Sequence, residues 1–433
     1  MVVNLRQWAA TAAMIYASLS SAYAQTPTAA DTGDTAWILT ASALVLMMTI
    51  PGLGLFYGGL VRMRNVLSVI MHSFVILCTV SLLWAVIGYS LVFGDGSAYL
   101  GGTANAMLAN LADLRAGLTI PESTFALFQM TFAIITPTLV IGAFVERVRF
   151  GWVVAFSTLW TLLVYIPVAR WIWGGGWLAT QFGTLDFAGG IVVHTTAGIA
   201  ALVVAMLLGA RRGFNKSLLA PHSPALTMVG AGLLWVGWFG FNGGSALAAG
   251  AGATVAIMNT HLAASTAALI WIGIERIRIG KATSIGIVTG AIAGLATVTP
   301  AAGYIGPMGA ILLGALGGAV CFYMVQVVKS QWKIDDSLDV FAVHGVGGIL
   351  GSILMPLAFT EALGGTGFAA GMDLSTQLTG QAIGVGVVAL WTAVVTLVLA
   401  RVVALVLPMR VDQEAEHEGL DLHSHGERGW ELD

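Results

Sequence analysis

Charge is what this sequence most lacks. Its 433 residues carry only 18 basic and 21 acidic side chains, 9% of the chain, against roughly 25% in a soluble globular protein. A surface so poor in charge cannot all meet water, which excludes a soluble enzyme. With 58% hydrophobic residues a disordered chain is excluded as well. A formal net charge of −3 excludes the basic field a nucleic-acid binder needs. Cysteine is nearly absent: Cys78 and Cys321 each lie inside an apolar run, where neither reads as a disulfide or a metal ligand. What is plentiful is apolar surface, with a mean hydropathy of +0.89, and glycine, 55 residues of it. Small residues at that density let membrane helices approach closely. The fold class these facts leave is an all-α polytopic membrane protein.

Residues 1–24 read as a signal peptide. Arg6 supplies the positive start, Trp8 to Ser18 a short apolar core, and Ala22-Tyr23-Ala24 a small-x-small cleavage pattern before Gln25. A helix needs about 20 mainly apolar residues to cross the hydrocarbon. On that criterion residues 25–407 form a membrane domain with eleven spans, at 36–60, 65–93, 123–145, 150–170, 187–209, 224–244, 252–275, 283–299, 306–328, 339–359 and 377–407, of which 283–299 is the shortest on apolar residues. Residues 408–433 form a polar, acidic tail with Asp412, Glu414, Glu416, Glu418 and Asp421. By composition alone the tail reads as solvated.

The connections between spans alternate in charge. One set carries Arg62, Arg64, Arg147, Arg149, Arg211, Arg212, Lys216, Arg276, Arg278, Lys281, Lys329 and Lys333; the other holds only Arg115, with Arg170 at a span end. Basic residues collect on the cytoplasmic side. The expectation is a multi-pass protein of a bacterial inner membrane, its mature N-terminus outside and its C-terminus inside. Span five opens Asp186-Phe187-Ala188-Gly189-Gly190 and runs to His194, while span ten opens Asp339-Val340-Phe341 and runs to His344. Five spans separate them, and an odd number per repeat makes two halves inverted.

Ionisable groups at membrane depth are costly and usually functional. Of the four histidines in spans, His72 and His261 read as packing residues without a matching partner. His194 and His344 occupy corresponding spans, which would bring them together near the midplane. Two neutral imidazoles offer a donor and an acceptor to a small polar molecule, and no carboxylate lies beside them in the body of either span to suit a bare ion. Phe128 and Phe132 are four residues apart, as are Phe241 and Ser245, and Trp173 lies in Trp171-Ile172-Trp173-Gly174-Gly175-Gly176. These put aromatics and one hydroxyl at a similar outer depth, where desolvated rings attract cations by ~2 kcal/mol, although apolar packing would place rings there too.

A different channel class and an intramembrane enzyme both fit this pattern poorly. A water or glycerol facilitator would carry paired Asn-Pro-Ala half-helices, and no such tripeptide occurs. An intramembrane serine hydrolase needs a hydroxyl beside a base, whereas the histidine nearest Ser245 is sixteen residues on. A metal hydrolase would want a carboxylate near the histidines. The chain is therefore not read as an enzyme, and no cofactor is expected.

Several stretches in order carry a resemblance: Thr49-Ile50-Pro51-Gly52 with Phe56-Tyr57-Gly58-Gly59-Leu60, Tyr165-Ile166-Pro167 through Trp173-Gly174-Gly175-Gly176, Asp186-Phe187-Ala188-Gly189-Gly190 with Val193-His194, Gly237-Trp238-Phe239-Gly240-Phe241-Asn242, and Asp335-Asp336 through Asp339-Val340-Phe341 to His344-Gly345. Over essentially the whole mature chain the sequence resembles the bacterial ammonium transporters of the Amt/Rh family. The resemblance implies eleven helices with two inverted five-helix halves, a homotrimer in the lipid bilayer, and one narrow pore per subunit carrying ammonium or ammonia. Phe128, Trp173 and Ser245 match an external ammonium-recruitment site, Phe132 and Phe241 a phenylalanine gate, and His194 with His344 a twin-histidine pair in the pore. Asp186 matches an aspartate near the entrance, with a structural or electrostatic role in capping span five rather than in holding the ion. The tail is expected to order against the cytoplasmic face, where a PII-type signal protein can block the pores. An ammonium sensor with little flux would share every one of these motifs. Arg170, Trp171 and Trp177 flank the Trp-Gly-Gly-Gly stretch; a cation at Arg170 would weaken recruitment if it pointed into the vestibule.

Overall fold

The computed structural model describes residues 29–216 and 220–430; the signal-peptide segment lies outside them. Among the described residues ten helices are long and apolar enough to cross a membrane. In chain order with the one shorter apolar helix they are α1 (Thr32–Leu60), α2 (Met63–Phe93), α3 (Glu122–Ala143), α4 (Phe150–Phe182), α5 (Gly190–Leu208), α6 (Pro224–Gly244), α7 (Ala251–Ile279), α8 (Ser284–Val298), α9 (Pro307–Gln331), α10 (Phe341–Ala358) and α11 (Leu374–Ala404). Among the described residues there are no strands, only isolated bridges such as Val148 with Arg410. The helix ends lie within a few residues of the spans expected from hydropathy except in α4, which runs on past a break at 173–176. Helix α8 has 15 residues, ~22 Å at 1.5 Å per residue, and is the shortest of the eleven.

Helix starts follow local chemistry. Ser223 accepts from the Leu226 amide with Pro224 at the first position of α6. Thr283 accepts from Gly286 at the start of α8. Asp373 and Thr376 form a reciprocal capping box on α11, and each such cap contributes about 1 kcal/mol. Within the spans six wide π turns interrupt the regular ladder. One, Met48–Leu53, contains Pro51, and another, Thr161–Tyr165, precedes Pro167, because proline lacks the amide that would close the turn. Two others, Gly190–Thr195 and Phe341–Gly345, contain no proline and carry His194 and His344.

The arginine-rich connections converge on one face around buried carboxylates. Glu146 pairs with Arg62 at 3.1 Å and Arg211 at 2.8 Å, and Asp335 pairs with Arg211 at 2.9 Å. The tail folds onto this cluster with two short helices, α12 (Gln413–Glu418) and α13 (Leu420–His425). Glu416 accepts from Arg410 and from the Arg212 amide, Asp421 accepts from the Ser68 amide, and Asn65 accepts from the Leu420 amide. Composition alone suggests a solvated tail; Glu416 and Asp421 are instead buried against particular cations and amides, and Val411, Ala415 and Leu420 form a small apolar cluster of their own.

This network sets a pH dependence. Burial by itself would raise the Glu146 carboxyl, but the charges of Arg211 and Arg62 outweigh it and hold the group below its ordinary range. Asp335 is likewise held low: burial opposes, and Arg211 and Arg147 prevail. A carboxyl whose folded pKa is depressed contributes its stability above the unfolded value, about 4, and loses it as pH falls through the folded one. Thermal unfolding is therefore expected to show the contribution of this cluster intact from pH 8 to about pH 5 and lost below about pH 4. Loss already at pH 6 would mean that other groups set the dependence.

Candidate functional site

Three cavities lie in line through the bundle. The outer one, of about 130 Å³, is lined by Phe93, Phe125, Gln129, Phe132, Trp173, Phe187, Ser245 and Leu247. A central one has room for little more than one water-sized particle, about 10 Å³, and is bounded by Phe241, Trp238, His194, His344 and aliphatic side chains. The inner one, of about 190 Å³, is reached past His344, Phe56 and Ile292 and ends at Lys329 and Asp339 on the arginine-rich face.

At the outer cavity Ser245 donates its proton to the Phe241 carbonyl at 2.8 Å, so its oxygen lone pairs remain for an incoming N–H. The Trp173 indole is fixed by donating to the Asp186 carbonyl at 2.8 Å. Phe128 is fully buried one layer behind, its ring edge-on to Phe132 with centroids 5.0 Å apart. Gln129, which motif matching did not single out, is 8% exposed and lines the cavity with an unpartnered carbonyl oxygen. It lies one helical turn beyond Phe125, on the same stripe, but nothing in the sequence marks that stripe as a cavity wall. Arg170 points elsewhere, its guanidinium spent on the carbonyls of Val92, Gly94 and Ser97. The cation nearest the vestibule rings is Arg115, 4.6 Å above Phe125 and paired with Glu122.

Below the cavity Phe132 and Phe241 close the path, with ring centroids 4.4 Å apart. His194 follows, stacked on Trp238 at 5.3 Å and on His344 at 5.2 Å. The two histidines meet through Nδ1 atoms 3.3 Å apart. One Nδ1 must donate and the other accept, so the accepting ring is neutral, and with both rings neutral the pair holds opposite tautomers. Whichever ring donates, one Nε2 is then an acceptor and the other a donor, and the buried Nε2 of His194 has no partner. Trp238 is locked by donating to Thr299, which in turn donates to the Leu295 carbonyl.

Glycine makes this meeting possible. Gly198 of α5 lies against Gly345 of α10, and Gly348 against the Gly190 carbonyl; a methyl group at Gly198 or Gly348 would collide with backbone. The carboxylate of Asp186 sits at the start of α5 and accepts four amides: Gly189 and Gly190 on Oδ1 at 2.9 and 2.7 Å, Ile191 and Val192 on Oδ2 at 2.8 and 2.9 Å. The counterpart at α10 is Asp336, which accepts from Val340 at 3.1 Å and Phe341 at 2.7 Å. Along the sequence Asp339 stands in the place of Asp186 at the opening of its span. The hydrogen bonds correct this, because Asp186 and Asp336 each stand eight residues before their histidine. Asp339 instead binds Lys329.

His72 is buried and stacked on Phe150, its two ring nitrogens unpartnered, and lines none of the three cavities. His261 lies exposed on the outer surface of α7 beside Trp235 and Phe239. Among the described residues no group of three or more His, Cys, Asp or Glu stands close enough to hold a metal.

The sequence profile of the Ammonium Transporter Family matches residues 36–430. An ammonium transporter of Bacillus subtilis (strain 168) is 44% identical over 403 residues, 92% of this chain and 98% of that protein. The ammonium transporter Amt1 of Archaeoglobus fulgidus is 45% identical over 397 residues, 91% of this chain and 98% of its own. Among solved structures, a sensor Amt protein superposes with a TM-score of 0.85 at 27% identity, covering 91% of this chain and 98% of that one. Saccharomyces cerevisiae Mep2 superposes with a TM-score of 0.82 at 35% identity, covering 89% and 90%.

Proposed function

The chain belongs to the ammonium transporter family, and from that premise we propose that it recruits NH4+ at the outer cavity, where the ion gives up a proton to water, passes it as NH3 along the histidine pair, and lets it take up a proton from water in the inner cavity. The observation that carries the proposal is the order along one line: a cation-accepting cavity, a closed phenyl pair, then two hydrogen-bonded imidazoles. Moving a bare ion into a medium of ε ≈ 4 costs on the order of 20 kcal/mol. Ring faces and the oxygens of Ser245 and Gln129 offset only a few of these. Neutral ammonia escapes most of that cost. K+, which has no proton to leave behind, is refused. In this reading Trp173 and Ser245 touch the ion with Phe128 behind them, Phe132 and Phe241 gate it, His194 and His344 relay hydrogen bonds, and Asp186 positions α5.

The wider architecture in this proposal has eleven crossings, counting α8, with α1–α5 and α6–α10 as inverted halves. The equal Asp186–His194 and Asp336–His344 intervals and the paired π turns support it. The arginine face is cytoplasmic, three copies assemble, and the docked tail is where a PII-type protein would act. The exposed imidazole of His261 at membrane depth favours burial against a second copy.

The test is uptake of methylammonium into proteoliposomes with the current recorded alongside. Uptake above the empty-vesicle level is expected, and His344→Ala should lower it about tenfold, the weight of one lost hydrogen-bond partner. Unchanged ammonia flux in that variant would remove the pair from the path. Saturable ammonium binding without flux would favour a sensor, the role named for one of the structural neighbours.

A further inference from the structure

The inner cavity ends on an ion pair that the transport path does not use. Lys329 Nζ lies 2.8 and 2.7 Å from the two carboxylate oxygens of Asp339, and the side chains are 29% and 20% exposed. Asp339 is held at φ +62°, a conformation uncommon for a residue with a side chain. Both residues line the same 190 Å³ space as His344. The charged groups around them, Arg211, Asp335 and Asp336, belong mainly to the arginine cluster behind. Asp339 is thus the carboxylate of the inner cavity, and its occupant is an –NH3+ group.

Resting on the transport reading above, we propose that Asp339 forms an inner site for a primary ammonium group, and that Lys329 fills this site as a tethered competitor of the cargo. The chemistry is the same on both sides: –NH3+ and NH4+ each present N–H donors and one positive charge to two carboxylate oxygens. An unfilled carboxylate there would hold ammonium re-formed on the inner side and keep it at the mouth from which it can re-enter. A tether of one side chain presents its ammonium at an effective concentration of about millimolar or more. Free ammonium therefore displaces Lys329 only when it accumulates to about that level, and below it the exit stays clear.

The experiment measures uptake against ammonium preloaded inside proteoliposomes. In Lys329→Met the internal concentration that halves uptake should fall about fivefold below that of the native protein, the weight of a partly exposed ion pair. Lys329→Arg, which keeps the charge, should stay near the native value, and Lys329→Met with Asp339→Asn should lose the sensitivity. Equal inhibition of native and Lys329→Met protein, with uptake from empty vesicles intact, overturns the proposal. A measurement that needs no flux runs beside it: thermal unfolding in ammonium chloride against sodium chloride at equal ionic strength. Ammonium should raise the Tm of Lys329→Met more than that of the native protein or the double variant. If the native protein shows no uptake, the transport reading fails by itself, and this Tm difference alone decides for or against the inner site.

Discussion

Asp186→Asn is expected to reduce ammonium uptake to background while Asp336→Asn leaves a measurable fraction. The carboxylate of Asp186 has every lone-pair direction occupied, two amides on each oxygen. An asparagine retains one oxygen and turns an NH2 toward the other two donors. Two buried amides then lose their acceptor, each at about 1–3 kcal/mol, and they also meet a donor face to face. The π turn Gly190–Thr195 that carries His194 hangs on those amides, and the carbonyl of the same Asp186 fixes the Trp173 indole. One substitution therefore disturbs the outer cavity and the histidine pair together. Asp336 has two amides to lose rather than four, one of them at 3.1 Å, which is why its effect should be smaller. Uptake and thermal stability measured on both purified variants check the ranking. Native uptake in Asp186→Asn with an unchanged Tm would show that the carboxylate does not position the pore.

The second large effect is expected at the phenyl pair. Phe132 touches Phe128, Trp173 and Phe241, so Phe132→Ala should cost about 3–5 kcal/mol of stability, as buried Phe truncations do. It should also join the outer cavity to the central one. Water that follows would shield a cation and lower the roughly 20 kcal/mol penalty on which refusal of ions depends. Phe132→Ala with Phe241→Ala is expected to raise osmotic water permeability and to let K+ carry current, read by stopped-flow light scattering and by electrical recording on proteoliposomes. If the double variant stays folded, conducts ammonia and still excludes water and K+, the barrier lies at the histidines or below, and the phenyl pair is packing.

How much of this was legible beforehand follows from the range of the interaction concerned. The i, i+4 pairs Phe128–Phe132 and Phe241–Ser245 could be read because helix geometry puts such residues on one face, and the path runs along those faces. Gln129, Phe93, Phe125 and Phe187 could not be ranked, since a cavity wall is selected by neighbouring helices and not by spacing within one. Asp339 opens the apolar run and so reads, along the chain, as the partner of Asp186. The choice between Asp336 and Asp339 depends on which carboxylate the π turn of α10 faces, and no local pattern encodes that. The tail reads as solvated for a similar reason: its acidity is visible in composition, while the amides of Arg212 and Ser68 that Glu416 and Asp421 accept from come from connections hundreds of residues earlier.

Sequence by itself therefore determined what depends on the solvent and on near neighbours. A bilayer demands runs of about 20 apolar residues and strands basic side chains between alternate runs, so the helices, their ends and the arginine-bearing connections can be read along the chain. Tertiary structure alone decided what depends on the crossing of distant segments. Gly198 against Gly345 lets α5 and α10 approach until two imidazoles, 150 residues apart, share a hydrogen bond. The same packing spends the charge of Arg170 on loop carbonyls and seats Lys329 on Asp339. Those outcomes rest on how closely distant backbones approach, and only close packing of the whole bundle sets that.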